Sequence, residues 1–211
     1  IPRPTWALRI NCSKPLLNNL DIRQGLHYSM NWDLVNKEIF HGDFERMQSI
    51  ADGYGGRSHP TLKAREFSVE KAEAAFAKAG FTNRGADGIL QNANGKRLSF
   101  TITTGYKRFS SLLTVLQQEA KKAGVELRIE MLELTAGWKK TSEKKHEITF
   151  GGLNNSVELY PRFFEPYHSY NAYEEEGDKL YNADGSLREG ITVKPDTNNS
   201  TLTADRELDK L

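Results

Sequence analysis

The residues with chemistry to offer gather in three short segments: TTGYKR at 103–108, LELTAGW at 132–138 and GGLNNSVELY at 151–160. They supply hydroxyls, amides, basic groups and aromatic rings, an inventory suited to holding a polar ligand by replacing its water shell. Tyr106 and Arg108 stand in the first segment. Trp138 ends the second and Tyr160 the third, as candidate stacking surfaces with ordinary packing as the alternative. None of the three offers a nucleophile with its base. TTGYKR could cradle an anion at a helix N-terminus, but it lacks the glycine run and the GK[ST] ending of a phosphate loop. Glu130 and Glu133 are paired acids with nothing further to support glycosidase chemistry. The five histidines, His27, His41, His59, His146 and His168, fall at no metal-ligand spacing, and the single cysteine, Cys12, supplies neither a disulfide nor a metal cluster. No cofactor or metal is expected.

The elements that must position these segments follow from periodicity. Residues 5–11 (TWALRIN) alternate Trp6, Leu8 and Ile10 with polar neighbours, as a strand does. Ile22, Leu26 and Met30 lie four apart on one helical face, and Asn31 is positioned to cap a second helix over 32–40. Residues 41–66 carry HGD, DGYGG and SHP without clear period and read as a long loop. Ser68 opens a helix with Val69, Ala72, Phe76 and Ala79 inward, closed by Gly80. Asn94-Gly95 predicts a hairpin with both turn residues at positive φ and Leu98, Phe100 and Ile102 along its second arm. Next come a helix closed by Gly124, a strand over 125–132, a short helix over 136–142 and a strand over 146–150.

This is an α/β pattern, β-α-β-α-β, and right-handed crossovers make its core mainly parallel. The strands alternate instead of running apolar throughout. One face should therefore carry helices, and the other should be partly polar and open to solvent, a cleft or another lobe. The three chemical segments then fall at the carboxyl ends of the strands, where open α/β sheets bind ligands. Beyond the last strand the chain turns polar and irregular, an excursion expected to have little core of its own.

With 211 residues the chain can hold one substantial core. Lys+Arg at 29 nearly cancel Asp+Glu at 28, so the clustered basic excess of a nucleic-acid binder is missing. KKTSEKK at 139–145 and EEEGD at 174–178 read as solvated faces. No apolar run approaches the ~20 residues of a membrane span, and no stretch of the given sequence reads as a signal peptide. The opening IPRPTW without Met, and the ending ADRELDKL, which reads as the middle of an amphipathic helix, suggest a piece of something longer.

Four segments, in order, resemble the periplasmic solute-binding proteins of peptide-type ABC importers, the dipeptide, oligopeptide and nickel group known as family 5. DIRQGLHYSMN at 21–31 is similar to that family's D-x-R-x-A helix, with Gly25 where Ala is usual and Asn31 where Asp is usual. KAEAAFAKAGF with the following DGI, LQQEAKKAGVELRIEML, and HEITFGG resemble three further motifs. The resemblance covers most of 6–150 and, more loosely, the tail. It implies that 1–211 is a C-terminal ligand-binding lobe with a periplasmic-binding-protein-like fold, 153–211 being a loosely structured extension. The N-terminal lobe and the final helices returning across the hinge would be missing. It also implies an exported, periplasmic, monomeric receptor without catalysis. Such a receptor closes two lobes on a small-molecule or oligopeptide ligand and hands it to the membrane permease of the importer. Many peptide-binding members carry G-W-x-x-D after the last strand. Here Gly152 stands in place of the Trp and Asn155 in place of the Asp, while Glu158, or the neighbouring amide of Asn154, is available to the ligand. An Asn offers an ammonium no full charge. Two other classes stay open on the residues alone. One is an α/β enzyme fragment, a hydrolase or transferase, with named acids or histidines essential for turnover. The other is an interaction module whose aromatics at 160–173 form an exposed apolar patch.

Overall fold

In a computed structural model the described residues are 5–49, 52, 55–153 and 163–210. The sheet has four strands in the order β1 (Thr5–Ile10), β6 (Ile148–Leu153), β4 (Ser99–Thr104), β5 (Glu126–Met131). β4 is parallel to both β5 and β6, and β1 closes the edge antiparallel to β6. The mainly parallel α/β core is thus as expected.

Local chemistry sets the helix ends. Asn19, Asn31 and Ser68 accept from the backbone N–H of Ile22, Leu34 and Lys71 at the starts of α1 (Leu20–Ser29), α2 (Trp32–Ile39) and α3 (Val69–Lys78). Each satisfies an N–H that the helix itself leaves without a partner. Gly80 at φ +85° and Gly124 at φ +80° end α3 and α4 (Ser110–Lys122) in the left-handed conformation. The main core lies between one face of the sheet and helices α1–α4. Leu8, Ile10, Phe100, Ile102, Leu127, Ile148 and Phe150 meet Leu26, Phe76, Leu113 and Leu116 there. The residues at 41–66, among those described, form turns and one 3-10 turn at Gly55–Arg57.

Four expectations need correction. First, the hairpin is short and is not closed by the expected turn: the Leu98 N–H donates to the Leu90 carbonyl and Gln91 bridges Arg97 antiparallel. Gly95 takes φ +75°, but Asn94 does not share the positive φ. The reversal is held instead by Asn92, whose Oδ1 accepts from the N–H groups of Asn94 and Lys96. β3 (Leu90–Asn92) pairs with β2 (Phe81–Arg84), whereas β4 leaves to become a central strand because its apolar side fills the main core. Second, the polar sheet face is partly covered. α5 (Leu134–Ser142) lies across it, with Thr141 Oγ1 3.2 Å from Thr149 Oγ1 and Lys140 Nζ 2.7 Å from Glu130 Oε2. β4 leads to β5, and β5 leads back past β4 to β6, so right-handed crossovers place α4 and α5 on opposite faces. Third, the basic run is not wholly solvated. Lys144, at φ 57°, turns inward, is 3% exposed, and donates to the carbonyls of Thr197 and Asn199. Fourth, the described tail runs into no amphipathic helix; its core is small, as expected, a cluster around Tyr173, Leu180, Tyr181 and Leu202. Its end is a single 3-10 turn at Leu208–Lys210.

Candidate functional site

The carboxyl ends of β4, β5 and β6 and the start of β1 share one edge of the sheet. Register places Trp6 directly opposite Gly152. A Cβ built at Gly152 would stand 3.9 Å from the indole Cη2, an ordinary contact, so the missing side chain leaves that part of the ring uncovered. Around the indole, Tyr106 packs edge-on at 4.9 Å and 84°, Phe109 lies at 4.4 Å, and Phe150 stacks at 5.8 Å. The Arg108 guanidinium carbon sits 5.1 Å from the Trp6 ring and 4.8 Å from that of Phe109, where the ring faces attract a cation. Thr104 fixes the loop. Its Oγ1 donates to the Phe150 carbonyl at 3.1 Å and accepts from the Tyr106 N–H at 3.1 Å, tying the turn after β4 to β6.

Three of the residues singled out in the sequence, Tyr106, Arg108 and Gly152, therefore come together around Trp6. Trp138 does not join them. It projects from α5, is 66% exposed, and is neither core nor packed aromatic. Asn154, Asn155, Glu158 and Tyr160 lie outside the described residues. In the sequence Trp6 reads only as a strand residue. Its own alternation gave the strand, but its place beside Gly152 depends on an antiparallel pairing that no local pattern encodes.

The titratable groups read as structural. Lys140 and Thr103 hold Glu130 with hydrogen bonds that bring its carboxyl below the usual range, and Glu133 caps α5 by accepting from the Thr135 N–H. Burial raises the Cys12 thiol, which keeps it protonated and unreactive. His59 and His168 accept from nearby backbone N–H groups. Among the described residues no group of three His, Cys, Asp or Glu could hold a metal. The tail aromatics divide: Tyr173 is buried, whereas Phe163, Phe164 and Tyr170 are exposed. What the described part of the edge offers is π faces, a guanidinium, hydroxyls and backbone amides, groups suited to holding a polar solute.

Residues 2–174 match the family model described as bacterial extracellular solute-binding proteins, family 5 Middle. The chain is 24% identical over 164 residues to the oligopeptide-binding protein AppA of Bacillus subtilis, covering 75% of this chain and 30% of that protein. A probable ABC transporter-binding protein of Deinococcus radiodurans is 28% identical over 155 residues, covering 69% of this chain and 26% of that one. The solved structure of AppA in complex with a nonapeptide superposes with a TM-score of 0.76 at 21% identity, over 98% of this chain and 37% of the other. That of NikZ from Campylobacter jejuni in complex with Ni(L-His) gives 0.73 at 20%, over 98% and 37%. The chain spans about a third or less of the curated relatives it matches. It belongs to the bacterial extracellular solute-binding proteins of family 5.

Proposed function

We propose that this chain is one ligand-binding lobe of an ABC importer's receptor, capturing a peptide or peptide-like small solute between two lobes outside the cytoplasmic membrane and delivering it to a permease. The observation that carries this reading is the convergence of Trp6, Tyr106, Arg108 and the open backbone at Gly152 on one sheet edge. Rings and a guanidinium at the rim would contact the solute, with Trp138 reaching it from α5 and Asn154, Asn155 and Glu158 from the segment after β6. Lobe closure would exclude water and strengthen each polar contact. The binding of a nonapeptide by AppA and of Ni(L-His) by NikZ supports a solute role and leaves the solute class to experiment.

The test is thermal shift of the full-length protein against peptides, opines and polyamines. A cognate solute raises the midpoint with concentration, by mass action on the native state. Tyr106→Ala lowers affinity for that solute severalfold, the equivalent of about 1 kcal/mol. A protein that no small solute stabilises, but that a protein partner does, would overturn the reading. The exposed Phe163, Phe164 and Tyr170 favour a second role for the tail, contact with another protein surface. Retained partner binding by a Phe164→Ser/Tyr170→Ser variant would exclude it.

A further inference from the structure

Four of the described arginines pair with an acid, Arg46 with Asp33, Arg84 with Glu73, Arg97 with Asp87 and Arg206 with Asp178. Arg9 differs. It stands in β1 opposite Thr149, on the polar face of the sheet. Its Nη2 would lie 3.1 Å from a Cβ at Gly151, and the Tyr106 ring edge 3.7 Å from the same point. Guanidinium and phenol thus converge over Gly151, in space that a side chain there would take. Arg9 Nε is buried without a hydrogen-bond partner. Among the described residues no carboxylate pairs with it. The ionisable groups acting on it are the phenols of Tyr106 and Tyr167, and Lys144 and His146 feel it as one more repelling cation. Burial accordingly pulls the Arg9 pKa down.

A partly buried cation with cations behind it and no countercharge among the described residues is costly to keep. That cost is recovered when a ligand brings the anion. We infer that Arg9 is a ligand-anchoring residue whose guanidinium, laid across Gly151 beside Tyr106, receives a carboxylate of the bound solute. The inference rests on the receptor reading above. A carboxylate suits the site because its two oxygens match the planar fork of a guanidinium, and because peptide-like solutes carry one at the C-terminus or on an acidic side chain.

The experiment uses the full-length protein and three pools of tri- to pentapeptides: free acids without Asp or Glu, the same peptides as C-terminal amides, and amides containing one Glu. Octopine, which carries carboxylates, and spermidine, which carries none, extend the panel. Wild type is expected to bind at least one carboxylate form about tenfold or more tighter than the plain amides. The free-acid and Glu-amide arms tell a terminal from a side-chain carboxylate. Arg9→Gln should weaken the preferred form about 10- to 100-fold, the range for a lost charge-assisted hydrogen bond, and Arg9→Lys should recover part. Gly151→Ala, which crowds the guanidinium without removing it, should reproduce a smaller loss and carries the test if Arg9→Gln does not fold. Binding of spermidine alone, equal binding of acids and amides, or an unchanged preference in the variants overturns the role of Arg9 while leaving the receptor reading in place. A wild-type protein that binds nothing in the panel overturns both.

Discussion

Gly25 packs directly against the Phe76 ring, where α1 meets α3. A Cβ on Gly25 would fall 2.6 Å from Phe76 Cδ1, well inside contact distance, and Phe76 is fully buried with no room to retreat. The expected outcome for Gly25→Ala is a loss of up to about 2 kcal/mol in urea melts, overpacking of about 1–3 kcal/mol set against roughly 1 kcal/mol gained in helix propensity. Adding Phe76→Leu should recover much of that loss, since two residues in contact are not additive. Asn31 has a comparable reason. Its Oδ1 caps α2 while its Nδ2 donates to the buried Glu119 at 2.9 Å, and Lys122 adds a second donor. Burial pushes the Glu119 carboxyl up, but these donors bring it below its usual range overall. Asn31→Asp would keep the cap and set two carboxylates together. It should cost about 1–3 kcal/mol at neutral pH, less in acid where one carboxyl is protonated, as melts at two pH values would show. Both positions stood out in the sequence as departures from the family pattern. Their cause could not be read there, because Glu119 lies 88 residues from Asn31 and Phe76 on another helix.

Elements were legible where the signal was local and not where it was a choice of partner. Asn31, Ser68, Gly80 and Gly124 marked helix ends correctly because a cap acts within a turn of its helix. Asn94-Gly95 marked the reversal and its short hairpin correctly but not where the second arm goes, since past Leu98 the strand β4 fills the central core between β5 and β6 instead of pairing on along β3. The position of α5 was equally hidden, because its face depends on the strand order. That position now rests on glycine. A Cβ at Gly105 would stand 2.6 Å from Leu134 Cα, and one at Gly137 would stand 3.3 Å from Gly105 N. Gly105→Ala should therefore lift the first turn of α5 from the end of β4 and displace Tyr106 and Trp138 with it. The expected cost is about 1–3 kcal/mol. Hydrogen exchange should rise over Leu134–Ser142 while Ser110–Lys122 keeps its protection, and equal loosening of both helices would refute this local account.

At the scale of the molecule, the tail's small core is held to the sheet by a latch at the edge opposite the candidate site. Asn11 Nδ2 donates to the carbonyls of Lys144 and His146, the Cys12 N–H to that of Thr201, and Lys144 Nζ to those of Thr197 and Asn199. His146 is fully buried and its Nε2–H donates to the Ser200 carbonyl, which leaves Nδ1 bare and without a partner. A second proton would land on that buried nitrogen. Burial, then repulsion from Arg9, Lys144 and Lys14, outweigh the favourable Ser200 carbonyl and bring the imidazole down to about 4, against about 6.5 unfolded. The unfolded chain thus binds the extra proton first. The His146 contribution to stability is full above pH 6.5, falls by up to about 1.4 kcal/mol per pH unit as pH drops toward 4, and levels below it, a total of about 3 kcal/mol. Lys144 acts in the alkaline range. Burial brings it down to about 8, so stability rises as pH climbs from about 8 toward its ordinary value of 10.5. Because the tail core is small and the latch binds it directly, acid should release the tail before the sheet. Between pH 7 and 4.5, exchange at Ser200, Thr201 and Leu202, corrected for its intrinsic pH dependence, should rise while β4 and β6 stay protected. His146→Gln should flatten that response, and an unchanged response in the variant would mean that the proton acts elsewhere.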